Sequence, residues 1–276
     1  AIPSWLEKKC PEVMVFDGYS RKKYGKRQIM DIVHPVFRKC AENVICKLLE
    51  HTANVSCVIG FQIDNETKHY GTASPQVQRM FVEYLKTKFH TTEQLNEVFG
   101  LRYWSNSISD WSDFPDMAGC IHGGLACEFA KFQRSLAAEY LVWQSELVKK
   151  YKRQDQFITH NFDFEWKKFG ADIAQDGYSY GVQPDINHYE ASKAVTIAGT
   201  DIYHPTQDGL TGAEIGFGGD SIRTLKDDAY IVLECQAQAF KYWTPYPGQL
   251  RLHGYSHLAS GAAGVLYWNW HSIHDG

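Results

Sequence analysis

The chain has 276 residues, of which 44% are hydrophobic and 22% charged, with a net charge of −4. That balance supports a sizeable buried core rather than a disordered chain. It gives no basic footprint for nucleic acid, and no apolar run approaches the roughly 18 residues of a membrane span. Aromatic residues make up 14%, a surplus common to proteins that stack on flat ligands or sugars and to large cores.

The opening AIPSWLEKKCPEV shows no basic stretch followed by an apolar one, so no secretory leader is expected. Seven cysteines (10, 40, 46, 57, 120, 127 and 235) are odd in number and form no CxxC pair. Zinc-ribbon and thioredoxin spacings are therefore absent, and the cysteines read as reduced thiols in a cytoplasmic protein.

Residues 35–50 carry Val36, Phe37, Cys40, Val44, Ile45 and Leu48 at helical spacing. A strand follows over about 56–63, where VIGFQIDNET turns abruptly from apolar residues to Asp64, Asn65 and Glu66. Ser74-Pro75 opens a helix, and TTEQLNEVFG is a short one capped by Thr and stopped at Gly100. RYWSNSISDWSDFPD reads as a polar, aromatic loop of the kind that sits over a site, and the longest helical stretch runs from Gly124 to about Gln154. Strands are then predicted at about 157–161, 197–202, 230–234 and 264–269, with helical segments between them.

Helix and strand alternate with no repeat or linker, so residues 1–276 read as one α/β domain with a parallel sheet. All five strands end in polar or aromatic residues: DNE, THNF, DIYH, ECQ and WNWH. Both barrels and doubly wound sheets gather their ligands at strand C-termini. A nucleotide-binding sheet would announce a glycine-rich loop after an early strand, whereas GFGGD (216–220) follows none.

Two acids at such strand ends, Glu66 and Glu234, are what glycoside cleavage requires. One must be protonated to assist the leaving oxygen, and the other ionised to attack or to activate water. Taken singly, either reads equally as a surface residue at a strand exit; the pair with its aromatic companions carries the argument. Asn65 is placed to hydrogen-bond a sugar hydroxyl, while Asp64 points the opposite way along a strand and reads as structural.

QIDNE, then FGLRYWS, LECQ, WTPYPGQLRL and HLASGAAGVLYWNWHS, in that order, resemble glycoside hydrolase family 42 from the first residue to the last. That resemblance implies a (β/α)8 TIM barrel, of which this chain supplies strands 4 to 8, their helices and the segment leading into strand 4. It further implies a retaining β-galactosidase with Glu66 as acid/base, Glu234 as nucleophile and Asn65 at the sugar 2-hydroxyl. Arg27, Trp104, Tyr203 and Trp243 match residues lining the sugar subsite, Trp243 only with one inserted residue after Glu234.

The match departs from the family in two places. Some members hold a structural zinc with cysteines; here Asp31 and the cysteine-free loop TKHYGTASPQ take those positions, so no metal and no cofactor are expected. Strands 1 to 3 have no counterpart, and the family's pocket residues beyond strand 8 would fall after Gly276. The expected partner is a galactoside or oligosaccharide, with no nucleic acid and no membrane, and the resemblance implies a homotrimer. The rival readings are a related retaining enzyme acting on α-L-arabinopyranosides or β-glucosides, and a non-catalytic carbohydrate-binding fragment.

Overall fold

Capping chemistry written into the sequence sets where several helices begin and end. A computed structural model of the chain describes residues 2–25, 29–120, 122–166, 180–181, 183–204, 206–237 and 245–269. Helix Pro75–Phe89 starts where the Ser74 side chain accepts the Val77 N–H, and Thr92–Phe99 where Thr91 accepts the Gln94 N–H. The second ends on Gly100 in the left-handed conformation, φ 62°, where a Cβ would be strained.

The chain divides into two units, Ala1–Ile45 with Lys68–Tyr140, and Cys46–Thr67 with Leu141–Gly276. The first unit is mainly helical. Its core centres on fully buried Phe81, whose ring lies 5.0 Å from Phe129 and 5.4 Å from Phe132, an aromatic cluster that adds edge and tilted contacts to area burial. Arg38 forks onto both oxygens of Glu139 and donates through Nε to the Ile32 carbonyl at 2.7 Å.

Helix Pro35–Thr52 runs as expected, but its apolar face does not lie where the spacing put it. Phe37 and Leu49 are buried, while Val36, Val44 and Leu48 are exposed. Apolar residues occupy two sides of this helix, and periodicity alone cannot choose which side meets the core.

The second unit holds the sheet. Its strands are β1 (Gly60–Gln62), β2 (Phe157–Thr159), β3 (Asn161–Asp163), β4 (Glu165–Trp166), β5 (Tyr180–Gly181), β6 (Gly199–Asp201), β7 (Tyr230–Gln236) and β8 (Ala262–Trp268). Parallel pairing runs β1 to β2, β3 to β6, β6 to β7 and β7 to β8, while β4 and β5 form a small antiparallel ribbon. β2 and β3 are one predicted strand broken at buried His160. Helices Ala213–Arg223 and Gln249–Ala259 occupy the connections before β7 and β8, which is the alternation of a (β/α) barrel.

β6 packs too closely to admit side chains throughout. A Cβ on Gly199 would meet Leu233 Cδ1 at 2.4 Å, Thr159 Oγ1 at 2.6 Å and the His160 carbonyl at 2.7 Å, the last being backbone that cannot swing away. Glycine here is a packing requirement.

Two sequence expectations change in this unit. The first strand is three residues long, and residues 55–58 form a turn instead. The Arg153 guanidinium takes the carbonyls of Ala53, Val55 and Val58, so a side chain does the work that sheet pairing was expected to do. Nor is the apolar VIGF run buried throughout: Ile59 is 67% exposed, and among the described residues β1 pairs only with β2. At the other edge, Leu266, Tyr267 and Trp268 of β8 are exposed too. Among the described residues no helix is long and apolar enough to cross a membrane, and all seven cysteines are free thiols.

Candidate active site

The register of the parallel strands lines up acids across the sheet. Asp163 on β3 sits opposite Asp201 on β6, and Asp201 opposite Glu234 on β7. Between Thr200 and Asp201 the pairing with β7 slips by one residue, passing Leu233. An irregularity of this type re-aims the side chain that follows it, and here that side chain is Glu234.

Glu66 arrives differently. β1 ends at Gln62, and Glu66 lies on the turn beyond it, where Asp64 (φ 49°) and Glu66 (φ 44°) both adopt left-handed backbone. Such conformations cost about 1–3 kcal/mol each for residues with a Cβ, so the surroundings must hold them. His160 does so at both ends: Nδ1 donates to the Ile63 carbonyl at 2.7 Å, and Nε2 accepts the Thr67 N–H at 3.3 Å. The Thr67 hydroxyl donates to Asp64 Oδ2 at 2.5 Å, the structural role expected of Asp64.

Asn161 holds the middle of the turn. Its Oδ1 accepts the Glu66 N–H and the Gln62 amide, both at 3.0 Å, while its Nδ2 donates to Asn65 Oδ1 at 3.0 Å and Asp201 Oδ2 at 2.6 Å. Donors and acceptors on both sides fix the orientation of this amide.

Three carboxylates result. Glu66, Asp201 and Glu234 each place an oxygen within 4.8 Å of the other two. Among the described residues this is the only Asp/Glu/His/Cys group close enough to hold an ion, and its all-oxygen donors would suit a hard cation, not zinc. The three differ in setting. Asp201 is buried, whereas Glu66 and Glu234 are partly exposed. Burial, followed by the charge of Glu234, pushes the Asp201 carboxyl up to about 9 against the pull of Asn161. Tyr203 donates its hydroxyl to Glu234 Oε2 at 2.8 Å, and burial, with that hydrogen bond next, holds the phenol protonated far into the alkaline range.

Glu66, Asn65, Tyr203 and Glu234 are thus brought together in one unit. Trp104 lies on the first unit's loop, three-quarters exposed and edge-on to Tyr103 at 5.2 Å. Arg27 and Trp243 lie outside the described residues. The sequence reading missed Asp201, Asn161 and His160, although all three stand in the polar strand ends THNF and DIYH that marked the site.

The β-galactosidase family model of glycoside hydrolase family 42 matches residues 1–276. The chain belongs to glycoside hydrolase family 42. Among curated members, it is 27% identical to β-galactosidase BgaA of Thermus sp., over 97% of this chain and 43% of that protein. BgaA of Clostridium cellulovorans is 26% identical, over 97% of this chain and 40% of its own length. The family 42 chain therefore spans about two fifths of these relatives. Among solved structures, the β-galactosidase of Halorubrum lacusprofundi matches with a TM-score of 0.82 at 22% identity, over 98% of this chain and 42% of that one. That of Bacillus circulans sp. alkalophilus matches at 0.80 and 21%, over 97% and 39%. At such identities the likeness establishes the TIM-barrel fold shared by these family 42 enzymes.

Proposed function

We propose that this chain carries the catalytic pair of a retaining β-galactosidase that releases terminal β-D-galactose by double displacement. One observation carries the reading: Glu66 and Glu234 approach within 4.8 Å at the C-terminal ends of parallel strands. Retaining enzymes hold their carboxyl groups about 5–5.5 Å apart, and inverting ones about 6.5–9.5 Å to admit a water.

In the first step Glu234 Oε1 bonds to the anomeric carbon. The glycosidic C–O bond breaks, and Glu66 gives its proton to the departing oxygen. In the second step Glu66 takes a proton from water, the water oxygen bonds to the anomeric carbon, and Glu234 leaves as a carboxylate. Tyr203 holds Glu234 Oε2, which orients the other oxygen for attack. Asn65 reads the sugar 2-hydroxyl beside the reacting carbon, and Arg27, Trp104 and Trp243 match sugar-subsite residues of the family.

The reading includes a single partial barrel domain over 1–276, a cytoplasmic location and assembly as a homotrimer. No metal is assigned to the mechanism. Parallel rates on β-galactosides, α-L-arabinopyranosides and β-glucosides distinguish galactose preference from its neighbours in sugar space.

The test is stereochemical, on the protein expressed from its complete reading frame. Proton NMR during cleavage of phenyl β-galactoside should show β-galactose first and the α anomer only after mutarotation. The α anomer appearing first would overturn double displacement. A second prediction concerns Tyr203→Phe, which removes one hydrogen bond to a charged group and should lower kcat/KM about tenfold to a hundredfold. An unchanged kcat/KM would remove Tyr203 from the machinery.

A further inference from the structure

Asp201 is the one member of the carboxylate cluster that the double displacement does not use. It is 1% exposed, so substrate cannot reach it in the way it reaches Glu66 or Glu234. Its Oδ1 has no hydrogen-bond partner among the described residues, so its organised contact is Oδ2 with Asn161 Nδ2 at 2.6 Å. Asn161 in turn holds the Glu66 N–H, the Gln62 amide and the Asn65 side chain. A continuous chain of hydrogen bonds therefore runs from β6, through β3, to the left-handed turn that carries Glu66.

We propose that Asp201 and Asn161 form a positioning pair for the acid/base: Asp201 orients the Asn161 amide, and Asn161 fixes the Glu66 backbone and the Asn65 side chain in their working positions. This rests on the assignment of Glu66 as acid/base. Three observations support it. The Asn161 amide is held from both its oxygen and its nitrogen, so losing Asp201 removes the shortest of its four bonds. Glu66 sits at φ 44°, a conformation that relaxes once its restraints go. A third carboxylate this close to Glu66 and Glu234 would repel both if ionised, and its burial favours the neutral acid, which supplies an acceptor without a charge. His160 pins the ends of the same turn, so the pair sets its centre and not its existence.

A general acid displaced from the leaving oxygen harms poor leaving groups most, since a good leaving group departs without a proton. The experiment compares kcat/KM for phenyl and 2,4-dinitrophenyl β-galactosides on single preparations of the full-length protein. Their ratio does not depend on the fraction of enzyme that folds. Asn161→Ala should lower the phenyl rate about 100-fold and the dinitrophenyl rate less than about fivefold. Asp201→Ala should show the same asymmetry at smaller size. Asp201→Asn keeps an acceptor for Asn161 Nδ2 and should stay within roughly threefold of wild type on both substrates.

Equal losses on both substrates, or an Asp201→Asn as damaging as Asp201→Ala, would overturn the positioning role. Glu66→Ala serves as the control. If it shows no leaving-group asymmetry, the acid/base assignment fails and this proposal fails with it. If Glu66→Ala shows the asymmetry and the Asp201 and Asn161 variants do not, the positioning role alone is wrong.

Discussion

Replacing Glu234 with Gln should lower kcat/KM for 4-nitrophenyl β-galactoside by about 10⁵-fold, the scale at which removing a nucleophile disables an enzyme. The substitution is nearly isosteric, and its amide oxygen can still accept the Tyr203 hydroxyl that now meets Oε2 at 2.8 Å. What is lost is the anionic oxygen that bonds to the anomeric carbon. Packing should survive, and the near-ultraviolet circular dichroism should match wild type. A shorter variant, Glu234→Gly, opens room for azide to attack from the vacated side. A single displacement there yields α-galactosyl azide. Glu66→Ala, which keeps the nucleophile, should yield the β product, because azide then replaces water in the second step. Near-normal hydrolysis by Glu234→Gln, or a β azide from Glu234→Gly, would end the assignment.

The strand ends were legible because parallel strands place their polar residues at one end of the sheet, and a one-dimensional pattern records that directly. QIDNE and LECQ therefore pointed to two carboxylates, Glu66 and Glu234, that the structure brings within 4.8 Å of each other. The backbone around Glu66 was not legible. Nothing in DNET marks two left-handed residues, since their conformation is held by His160 and Asn161, about 95 positions away. Asp201 was overlooked for a related reason. A lone Asp at a strand exit looks like a solvated cap, and only the β6–β7 register shows it buried opposite Glu234. The apolar face of Pro35–Thr52 misled in the other direction: spacing reports that a stripe exists, not which stripe this chain covers.

Stability should fall as pH drops from about 6.5 toward about 4, and a buried histidine cluster sets that window. His204 follows β6, while His253 and His257 stand one turn apart on helix Gln249–Ala259, and all three are buried. The His204 ring lies 4.4 Å from His253 and 5.9 Å from His257. Gln236, at the end of β7, donates its amide to the His204 carbonyl and lies 3.2 Å from His204 Nδ1. Burial first, then the neighbouring His204, pushes His253 and His257 down to about 4. A depressed value in the folded state means that the unfolded chain binds those protons first. The contribution is thus whole above about 6.5 and is lost as pH falls through the folded value. Asp201 works in the opposite sense. Its raised carboxyl keeps a proton that the unfolded chain gives up above about 3.9, so it offsets roughly one of the two histidine protons. The net tilt from these groups should be shallow, with stability rising with pH, and Asp201→Asn should steepen it. His253→Leu with His257→Leu should reverse its sign, leaving the Asp201 contribution alone. Urea unfolding free energies between pH 5 and 6.5 measure all three slopes. Identical slopes in wild type and the double leucine variant would show that the histidines do not titrate as a buried cluster.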